Sequence, residues 1–197
     1  MTGRACLVVG GGPVAARKAR TLLECGAAVT VIAPSLSVEM EALAGQLEQV
    51  ERRTYATGDA ARFRLVVTAT GRPDVDGAVH EDAETAGVWV NSADDRTHSS
   101  FILPAVHRDG PVTVAVSTSG LSPALSSWLR DRLAVECGED AGAVAQLFGE
   151  ARERLKLAGR RSDTVDWAAL LDGPLLEVVR AGDWDTARRI VAAATAE

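Results

Sequence analysis

Three successive glycines near the start of the chain are the first residues whose spacing indicates chemistry. They follow an apolar segment and open the run Gly10-Gly11-Gly12-Pro13-Val14-Ala15. The run fits the dinucleotide fingerprint, with Gly10 first, Gly12 second and Ala15 in the third place, where a small residue is allowed. Gly10 would make a tight turn, and Gly12 would let a pyrophosphate approach the backbone. We therefore predict a dinucleotide whose phosphates lie on the free amides of a helix N-terminus. The alternatives are a different nucleotide or a fold of the same type that binds none.

The second apolar segment lacks the acid that usually binds the ribose of such a ligand. An Asp or Glu is expected roughly 20 residues after the glycine loop. The segment ends instead on Ala33-Pro34-Ser35. Because a turn and a hydroxyl replace the acid, this position does not separate NAD from NADP.

Two later polar runs also contain groups that can do chemistry. Asn91-Ser92-Ala93-Asp94-Asp95 follows the fifth apolar segment, and the carboxyl ends of parallel strands create a ligand crevice. Further on, the backbone amides and hydroxyls of one turn are able to bind a carboxylate group. Its members are Ser117, Thr118, Ser119 and Gly120. A plain helix-capping role explains the same turn, and the two interpretations are compatible.

An alternation of short apolar runs and amphipathic stretches predicts the elements that position these residues. It is typical of β-α-β units on a parallel sheet. Strands are predicted over residues 5–10, 28–33, 51–55, 64–69, 88–91 and 112–117. Because the run from Cys6 to Val9 lacks polar alternation, we expect helices on both faces of the sheet.

Helical patterns connect the first strands and fill the last third of the chain. A first crossover helix is predicted over 14–25, with Val14, Ala19, Leu22 and Leu23 on its packed face. After the sixth strand, Ser122 is typical of an N-cap and Pro123 of the first helical position. Further helices are predicted over 140–157, 167–171, 174–180 and 183–194, with a polar linker at 159–163.

The composition limits the class of protein. The 197 residues are 47% hydrophobic and 24% charged, with a net charge of -6, which is typical of a globular chain. The acidic total argues against nucleic acid as a partner. Without a long apolar run or an apolar leader, we expect no membrane span and a cytoplasmic location. The three cysteines are far apart, so neither a disulfide framework nor a zinc site is expected.

Four motifs, in order, resemble the precorrin-2 dehydrogenase family, the N-terminal module of siroheme synthases. They are the Val-Val-Gly-Gly-Gly-x-Val-Ala-x-Arg-Lys opening from Val8 to Lys18, the Asn-x-x-Asp from Asn91 to Asp94, the Ser-Phe-x-x-Pro from Ser100 to Pro104, and the Ser-Thr-x-Gly-x-Ser-Pro-x-Leu from Ser117 to Leu125. The resemblance covers about residues 4 to 135 and then weakens into a helical tail.

This resemblance implies a fold and an activity. The fold would be α/β, a Rossmann-type parallel sheet over 1–111 that binds NAD, a dimerisation region over 112–137 and a helical C-terminal domain over 138–197. The activity would be NAD-dependent oxidation of precorrin-2 to sirohydrochlorin, on the way to siroheme or cobalamin. Some members also insert ferrous iron. A homodimer is implied as well.

The resemblance also assigns roles to individual residues. The family's essential aspartate, which would accept a proton, falls on Asp94. Its cofactor contacts fall on Gly12, Pro13, Val14, Pro34 and Ser35, with Thr70 and Asn91 nearby, in addition to Gly10 of the fingerprint. Because the tetrapyrrole substrate is a polycarboxylate, we expect Arg96, Arg108 and the 117–120 turn to bind it.

Departures and alternatives accompany these expectations. The family's Ala-Thr-Asp-Asp after the fourth strand is Ala69-Thr70-Gly71-Arg72 here, so no role is carried over to those acids. The three histidines show no spacing typical of a metal site, and a preformed metal centre is not expected. One alternative function is an NAD(H)-sensing module without catalysis. Another, an NADP-dependent carbonyl reductase, lacks the Tyr-x-x-x-Lys motif, because Tyr55 is the single tyrosine.

Overall fold

The computed structural model describes residues 1–93, 95–138 and 140–196. The chain divides into two compact units, Met1–Leu103 and Pro104–Glu197. This division falls before the boundary at residue 111 that we drew from the sequence, because a strand at Ala105–Asp109 pairs with the strand that follows it. The further division at residue 137 stays a prediction.

The first unit contains a five-stranded parallel sheet. Its strands are β1 (Ala5–Val9), β2 (Ala28–Ile32), β3 (Gln49–Glu51), β4 (Leu65–Thr68) and β5 (Trp89–Ser92). They lie in the order β3-β2-β1-β4-β5. The strands from β1 to β3 extend the sheet in one direction, and β4 and β5 extend it in the other, so the direction of winding changes between β1 and β4. This arrangement confirms the prediction of a Rossmann-type parallel sheet, and it places the ligand crevice at the carboxyl ends of β1 and β4.

Helices cover both faces of this sheet, as its apolar strands require. They are α1 (Pro13–Glu24), the single turn α2 (Val38–Glu41) and α3 (Pro73–Thr85). Alternate residues of β1 enter different cores: Cys6 and Val8 pack with Ala15 and Ala19 of α1, while Leu7 packs on the opposite face. The second core includes Val79 and Ala83 of α3. The sheet is therefore buried between two apolar layers.

Two local expectations for the first unit are wrong. The third strand was expected at 51–55 but ends at Glu51, because the Arg53 amide donates to the Glu51 carbonyl and turns the chain out of the sheet. Val14 was placed on the packed face of α1 but is 39% exposed, since Ala15, Ala16 and Ala19 occupy that face. The expected cofactor contact at Val14 needs this exposure.

The second unit begins with an antiparallel hairpin, β6 (Ala105–Asp109) and β7 (Val112–Val116). The sixth predicted strand, now β7, is thus separate from the parallel sheet. The α-helices that follow in the described residues are α4 (Pro123–Cys137), α5 (Ala141–Leu157), α6 (Trp167–Asp172), α7 (Leu175–Arg180) and α8 (Trp184–Ala196). As predicted, Ser122 caps α4, where its hydroxyl accepts a hydrogen bond from the Leu125 amide.

The core of the second unit lies among α5, α7 and α8. Leu147, Leu175, Val179 and Val191 are buried there. Over the described ranges, the structure contains no helix both long and apolar enough to cross a lipid bilayer.

Candidate dinucleotide site

Gly10 follows β1 and lies against the ends of both neighbouring strands, β2 and β4. Its backbone has φ of 125°, a conformation that glycine alone adopts readily. A Cβ at this position would lie 2.4 Å from the Ala69 carbonyl oxygen, and the Gly10 amide donates to the Ile32 carbonyl at 3.0 Å. Gly10 therefore brings the carboxyl ends of β1, β2 and β4 together.

Gly11 has a packing role that our sequence analysis missed. A Cβ there would lie 2.0 Å from the Ser35 carbonyl oxygen, and the Gly11 carbonyl accepts from the Ser37 amide at 2.8 Å. The segment after β2 is thus seated directly against the glycine loop. This contact explains why Pro34 and Ser35, both exposed, lie at the same edge as Gly12. The signal in the sequence was the third consecutive glycine, which the fingerprint does not require.

Gly12 differs from Gly10 and Gly11 because neither its backbone conformation nor the atoms around it require a glycine. It is the N-cap of α1 with φ of -79°, and a Cβ added there would meet nothing within 4 Å. Pro13 follows as the first helical residue and has no amide hydrogen. The first amides of an α-helix have no intrahelical acceptor, and here no capping side chain accepts from them. The open space and the free amides fit a pyrophosphate.

On the β2–β3 side of this edge, the acidic side chain at the end of β3 is held in ion pairs. Glu51, at the end of β3, is paired with Arg53 at 2.6 Å and with Arg62 at 3.6 Å. Hydrogen bonds to Asp59 and Glu51 raise the pKa of Arg53, so its guanidinium is always charged. After β2 the chain has Ser35, a hydroxyl, in the region where the dinucleotide fingerprint expects an Asp or Glu.

The other side of the edge holds Thr70 and Asn91. The Thr70 hydroxyl donates to the buried Asp76 carboxylate at 2.7 Å and accepts from the Arg72 amide at 3.0 Å. The Asn91 side-chain nitrogen donates to the Phe101 carbonyl at 3.0 Å. Asn91 is 6% exposed, yet its Oδ1 atom is buried and has no hydrogen-bond partner within residues 1–93, 95–138 and 140–196. An amide donor on a ligand would satisfy that oxygen, which is a second way in which the residues fit a nicotinamide dinucleotide.

Asp94, the expected catalytic residue, lies outside the described residues, and its neighbours are held tightly. The Ala93 amide donates to the Thr68 carbonyl at 2.9 Å. Asp95 accepts from the Thr97 hydroxyl at 2.6 Å and contacts the His98 Nδ1 atom at 2.8 Å. The Thr97 hydroxyl and amide, followed by His98, hold the pKa of Asp95 below its ordinary value.

Serine hydroxyls bind the segment after Asp95 back to β5. Ser99 Oγ accepts from the Ser92 amide at 2.9 Å, and Ser100 Oγ accepts from the Val90 amide at 2.8 Å. Ser99 also donates to the Asp95 carbonyl at 2.9 Å. These hydrogen bonds hold the segment that follows Asp95 against the edge strand β5. Arg96 lies on this segment and is exposed.

The turn expected to bind substrate lies in the second unit, at the start of α4. Thr118 accepts from the Ser122 amide at 3.0 Å and lies 2.9 Å from the Ser126 hydroxyl, so this side chain caps the helix. Ser119 has φ of 54°, and it and Ser117 are exposed. Gly120 is also left-handed, with φ of 74°. The capping interpretation is therefore correct for Thr118.

Arg108 is not adjacent to this turn. It lies on β6 opposite Thr113, to which it donates at 3.0 Å, whereas the turn follows the opposite end of β7. With roughly 3.4 Å for each residue of a strand, the separation along the hairpin is about 10 Å. The structure thus brings the eight expected cofactor residues to one sheet edge and leaves the expected substrate residues divided, with Arg96 in the first unit and the others in the second.

Metal ligands do not cluster in the described part of the chain. No group of three or more His, Cys, Asp and Glu side chains is arranged there to hold a metal ion. His80 and His98 lie with their ring centroids 5.2 Å apart, and His80 Nδ1 is buried with no hydrogen-bond partner among the described residues.

Comparison with known families supports the dinucleotide site. Residues 1–105 match the family described as "Putative NAD(P)-binding", and residues 109–136 match the family described as "Sirohaem biosynthesis protein central". The two matches follow one another in the order of the motifs. They confirm the predicted cofactor class and the resemblance drawn from the sequence.

Individual proteins agree with the family matches. The chain is 40% identical over 190 residues to a siroheme synthase of Chromobacterium violaceum, covering 93% of this chain and 40% of that one. It is 43% identical over 157 residues to a siroheme synthase of Tolumonas auensis, covering 79% and 33%. The solved structure of SirC, a precorrin-2 dehydrogenase, is similar with a TM-score of 0.64 and 29% identity, over 90% of this chain and 85% of SirC. The chain thus spans well under half the length of those siroheme synthases.

Proposed function

The chain belongs to the NAD(P)-binding family that its first 105 residues match, and from this premise we propose that it oxidises precorrin-2 to sirohydrochlorin with NAD. The observation that carries the proposal is the presence, in one chain, of an open dinucleotide cradle at Gly12 and a sirohaem-specific segment directly after that unit. Likeness to SirC along most of both chains favours the same reaction. The product would enter siroheme or cobalamin synthesis.

The residues at the sheet edge would bind and orient the cofactor. Gly10, Gly12, Pro13 and Val14 would hold the pyrophosphate on the first turn of α1. Pro34 and Ser35 would contact the adenosine half, and Thr70 and Asn91 the other half. NAD, when bound, supplies the acceptor for the hydride. The protein would mainly hold the tetrapyrrole against it, because oxidation extends the conjugation of precorrin-2 and is intrinsically favourable.

Asp94 would take the proton that leaves the substrate. Asp94 directly follows Ala93 in the chain, and the Ala93 amide is hydrogen-bonded to the Thr68 carbonyl at the end of β4. General-base catalysis typically contributes about 100-fold or more. Asp94→Asn is therefore expected to reduce turnover by that factor while NAD affinity is kept. Asp95→Asn is the matched control, since Asp95 binds Thr97 and His98. Equal turnover in Asp94→Asn and the wild type would remove Asp94 from the mechanism.

The substrate side chains would recognise carboxylates. Arg96 and Arg108 are exposed guanidinium groups, and the amides of the turn at Ser117, Thr118, Ser119 and Gly120 are suited to an anion. Ser119 and Gly120 are both left-handed, which is typical of a backbone concavity that binds anions. Arg108→Gln and Arg96→Gln should raise the KM for precorrin-2 with little change in kcat, whereas a change in kcat alone would contradict a binding role.

A homodimer would form through α4. This helix and the residue before its cap expose several large apolar side chains: Leu121, Leu125, Trp128, Leu133 and Val135. Val135 is 81% exposed and Trp128 60%, which is unusual for a monomeric helix. The sirohaem-specific match covers the same helix. A second copy of the chain would bury this face.

The direct experiment incubates the protein with anaerobically prepared precorrin-2 and NAD and follows sirohydrochlorin by absorbance. Turnover supports the enzyme. NAD binding without any turnover supports the alternative, a sensing module without catalysis. Ferrous or cobaltous ion added to sirohydrochlorin, with a protein-free control, tests metal insertion separately. Faster insertion with the protein would make the metal ion a second substrate. The expected cytoplasmic location stays a prediction.

A further inference from the structure

A buried carboxylate that has no cationic partner in the described part of the chain lies beside the proposed cofactor site. Asp76, on α3, is 7% exposed. Its Oδ1 atom accepts from the Thr70 hydroxyl at 2.7 Å, from the Thr70 amide at 3.4 Å and from the Thr68 hydroxyl. All three donors are neutral. Within residues 1–93, 95–138 and 140–196, the ion pairs of the structure do not include Asp76.

Such a charge is costly unless something compensates it. Removing a carboxylate from water is strongly unfavourable, and hydroxyl or amide donors recover only part of the loss. The N-terminal half of α3 helps through its dipole. A neutral asparagine would have accepted the same hydrogen bonds, so, apart from the helix dipole, the contacts among the described residues give no reason for a negative charge here. A cationic ligand would provide one.

The place of Asp76 in the fold indicates which part of the ligand would be cationic. The adenosine half belongs to the end of β2, and the pyrophosphate belongs to the turn between β1 and α1. The remaining half would then be held by residues at the ends of β4 and β5, Thr70 and Asn91. The Thr70 hydroxyl donates a hydrogen bond directly to the Asp76 carboxylate. The nicotinamide ring in this half is positively charged when oxidised and neutral when reduced.

We propose that Asp76 sets the preference of the site for the oxidised cofactor. Its buried carboxylate stabilises the nicotinamide cation and, through Thr70, holds the wall of the crevice in place. A dehydrogenase that runs toward oxidation gains from this bias, because NAD must bind and NADH must leave. The inference rests on the proposed dinucleotide site and not on the identity of the second substrate.

The test compares the binding of NAD and NADH, measured by calorimetry without any tetrapyrrole. Asp76→Asn is expected to shift the ratio of the two dissociation constants toward NADH by about fivefold or more, since the charge acts from within the protein. Asp74→Asn is the matched control. Asp74 lies on the same turn of α3 but is exposed and paired with Arg72 at 2.7 Å, so its removal should change the ratio by less than about twofold.

The outcomes are distinct. An unchanged ratio in Asp76→Asn, or an equal loss of both affinities, would show a purely structural role and overturn the inference. If this variant does not fold, Asp76→Ser, which retains an acceptor oxygen but drops the charge, is measured with the same two outcomes. A wild-type chain that binds neither dinucleotide would overturn the inference together with the cofactor site. Failure to oxidise precorrin-2 would overturn the proposed reaction alone.

Discussion

The two units of the chain bury their apolar residues to different extents. In the first unit, both faces of the sheet are covered, and most of the largest fully buried side chains, such as Leu7, Ile32 and Met40, belong to it. In the second unit, α5, α7 and α8 enclose a core, but α4 leaves Trp128 and Val135 exposed. The first unit covers both faces of its sheet, whereas the second presents an exposed apolar face, which we propose is covered by a second copy of the chain.

The two units also differ in how completely their polar side chains are hydrogen-bonded, and here the first unit is the less complete one. At the edge of the first unit, Asn91 Oδ1 and Ser92 Oγ are buried and have no hydrogen-bond partner among the residues that the structure describes. At the turn of the second unit, the Thr118 hydroxyl is fully used in capping α4. Unpaired buried atoms are expected where a ligand completes the structure. The cofactor site is therefore supported by its own geometry, while the substrate turn depends more on the family resemblance.

The largest expected effect tests whether the two cores are independent. Leu7→Ala in the first unit and Leu175→Ala in the second each remove a fully buried side chain. Each should lower the free energy of unfolding of its own unit by about 2–5 kcal/mol. Hydrogen exchange of β1 amides and α8 amides measures the two units separately. If either variant accelerated exchange equally in both units, the division into independent cores would be wrong.

The glycine loop gives the next largest effect, in a matched pair of variants. Gly11→Ala places a Cβ against the Ser35 carbonyl and should destabilise the protein by about 1–3 kcal/mol, because backbone must move. Gly12→Ala meets no atom of the protein and should change stability by less than about 1 kcal/mol. It should nevertheless weaken NAD binding at least about tenfold, because the methyl group occupies the space of the pyrophosphate. Thermal unfolding and calorimetry separate these effects. Unimpaired NAD binding by Gly12→Ala would contradict the assigned pyrophosphate position.

A substitution on the exposed face of α4 is expected to have a smaller effect, on self-association. Trp128→Asp should weaken self-association at least about tenfold, because a charge would be buried in the apolar contact. Val38→Asp is the control, since Val38 is 84% exposed but lies on α2 in the first unit. Sedimentation equilibrium measures both. A wild-type chain that stays monomeric at high concentration would disprove the dimer, and equal weakening by both variants would assign it to another surface.

The smallest effect is a pH dependence at Asp95. Its pKa is lowered in the folded state by Thr97 and His98, so its ionised form stabilises the fold at pH values above the ordinary carboxyl pKa. This contribution is lost as the pH falls through the lowered pKa. Asp95→Ala should therefore reduce stability near neutral pH and make the loss of stability in acid shallower. Urea unfolding from pH 6 to about pH 3 tests this. Parallel pH profiles for the variant and the wild type would contradict the shift.

The parts of the fold predicted from the sequence are those that depend on local patterns. The strands around Cys6 and Val67 are continuous apolar runs, and the glycine spacing indicates a dinucleotide turn regardless of the rest of the chain. The cap at Ser122 is equally local. These features need no knowledge of distant partners.

The features that the sequence did not reveal depend on long-range contacts. β6 contains His107 and Arg108, and it forms because β7 pairs with it. α3 has Gly77 within it and little amphipathic pattern, and it is held by Val79 against the sheet. The role of Gly11 depends on the position of Ser35, and that of Asp76 on Thr68. None of these contacts can be predicted from the residue type alone.

The most direct test of the central claim measures NADH and sirohydrochlorin together. Purified protein, NAD and anaerobic precorrin-2 are mixed, and both products are followed by absorbance against a protein-free control. The account predicts that the two products form in equal amounts, at a rate proportional to protein concentration, and that Gly12→Ala slows both together. NAD binding with no sirohydrochlorin above the control, at any protein concentration, would contradict it.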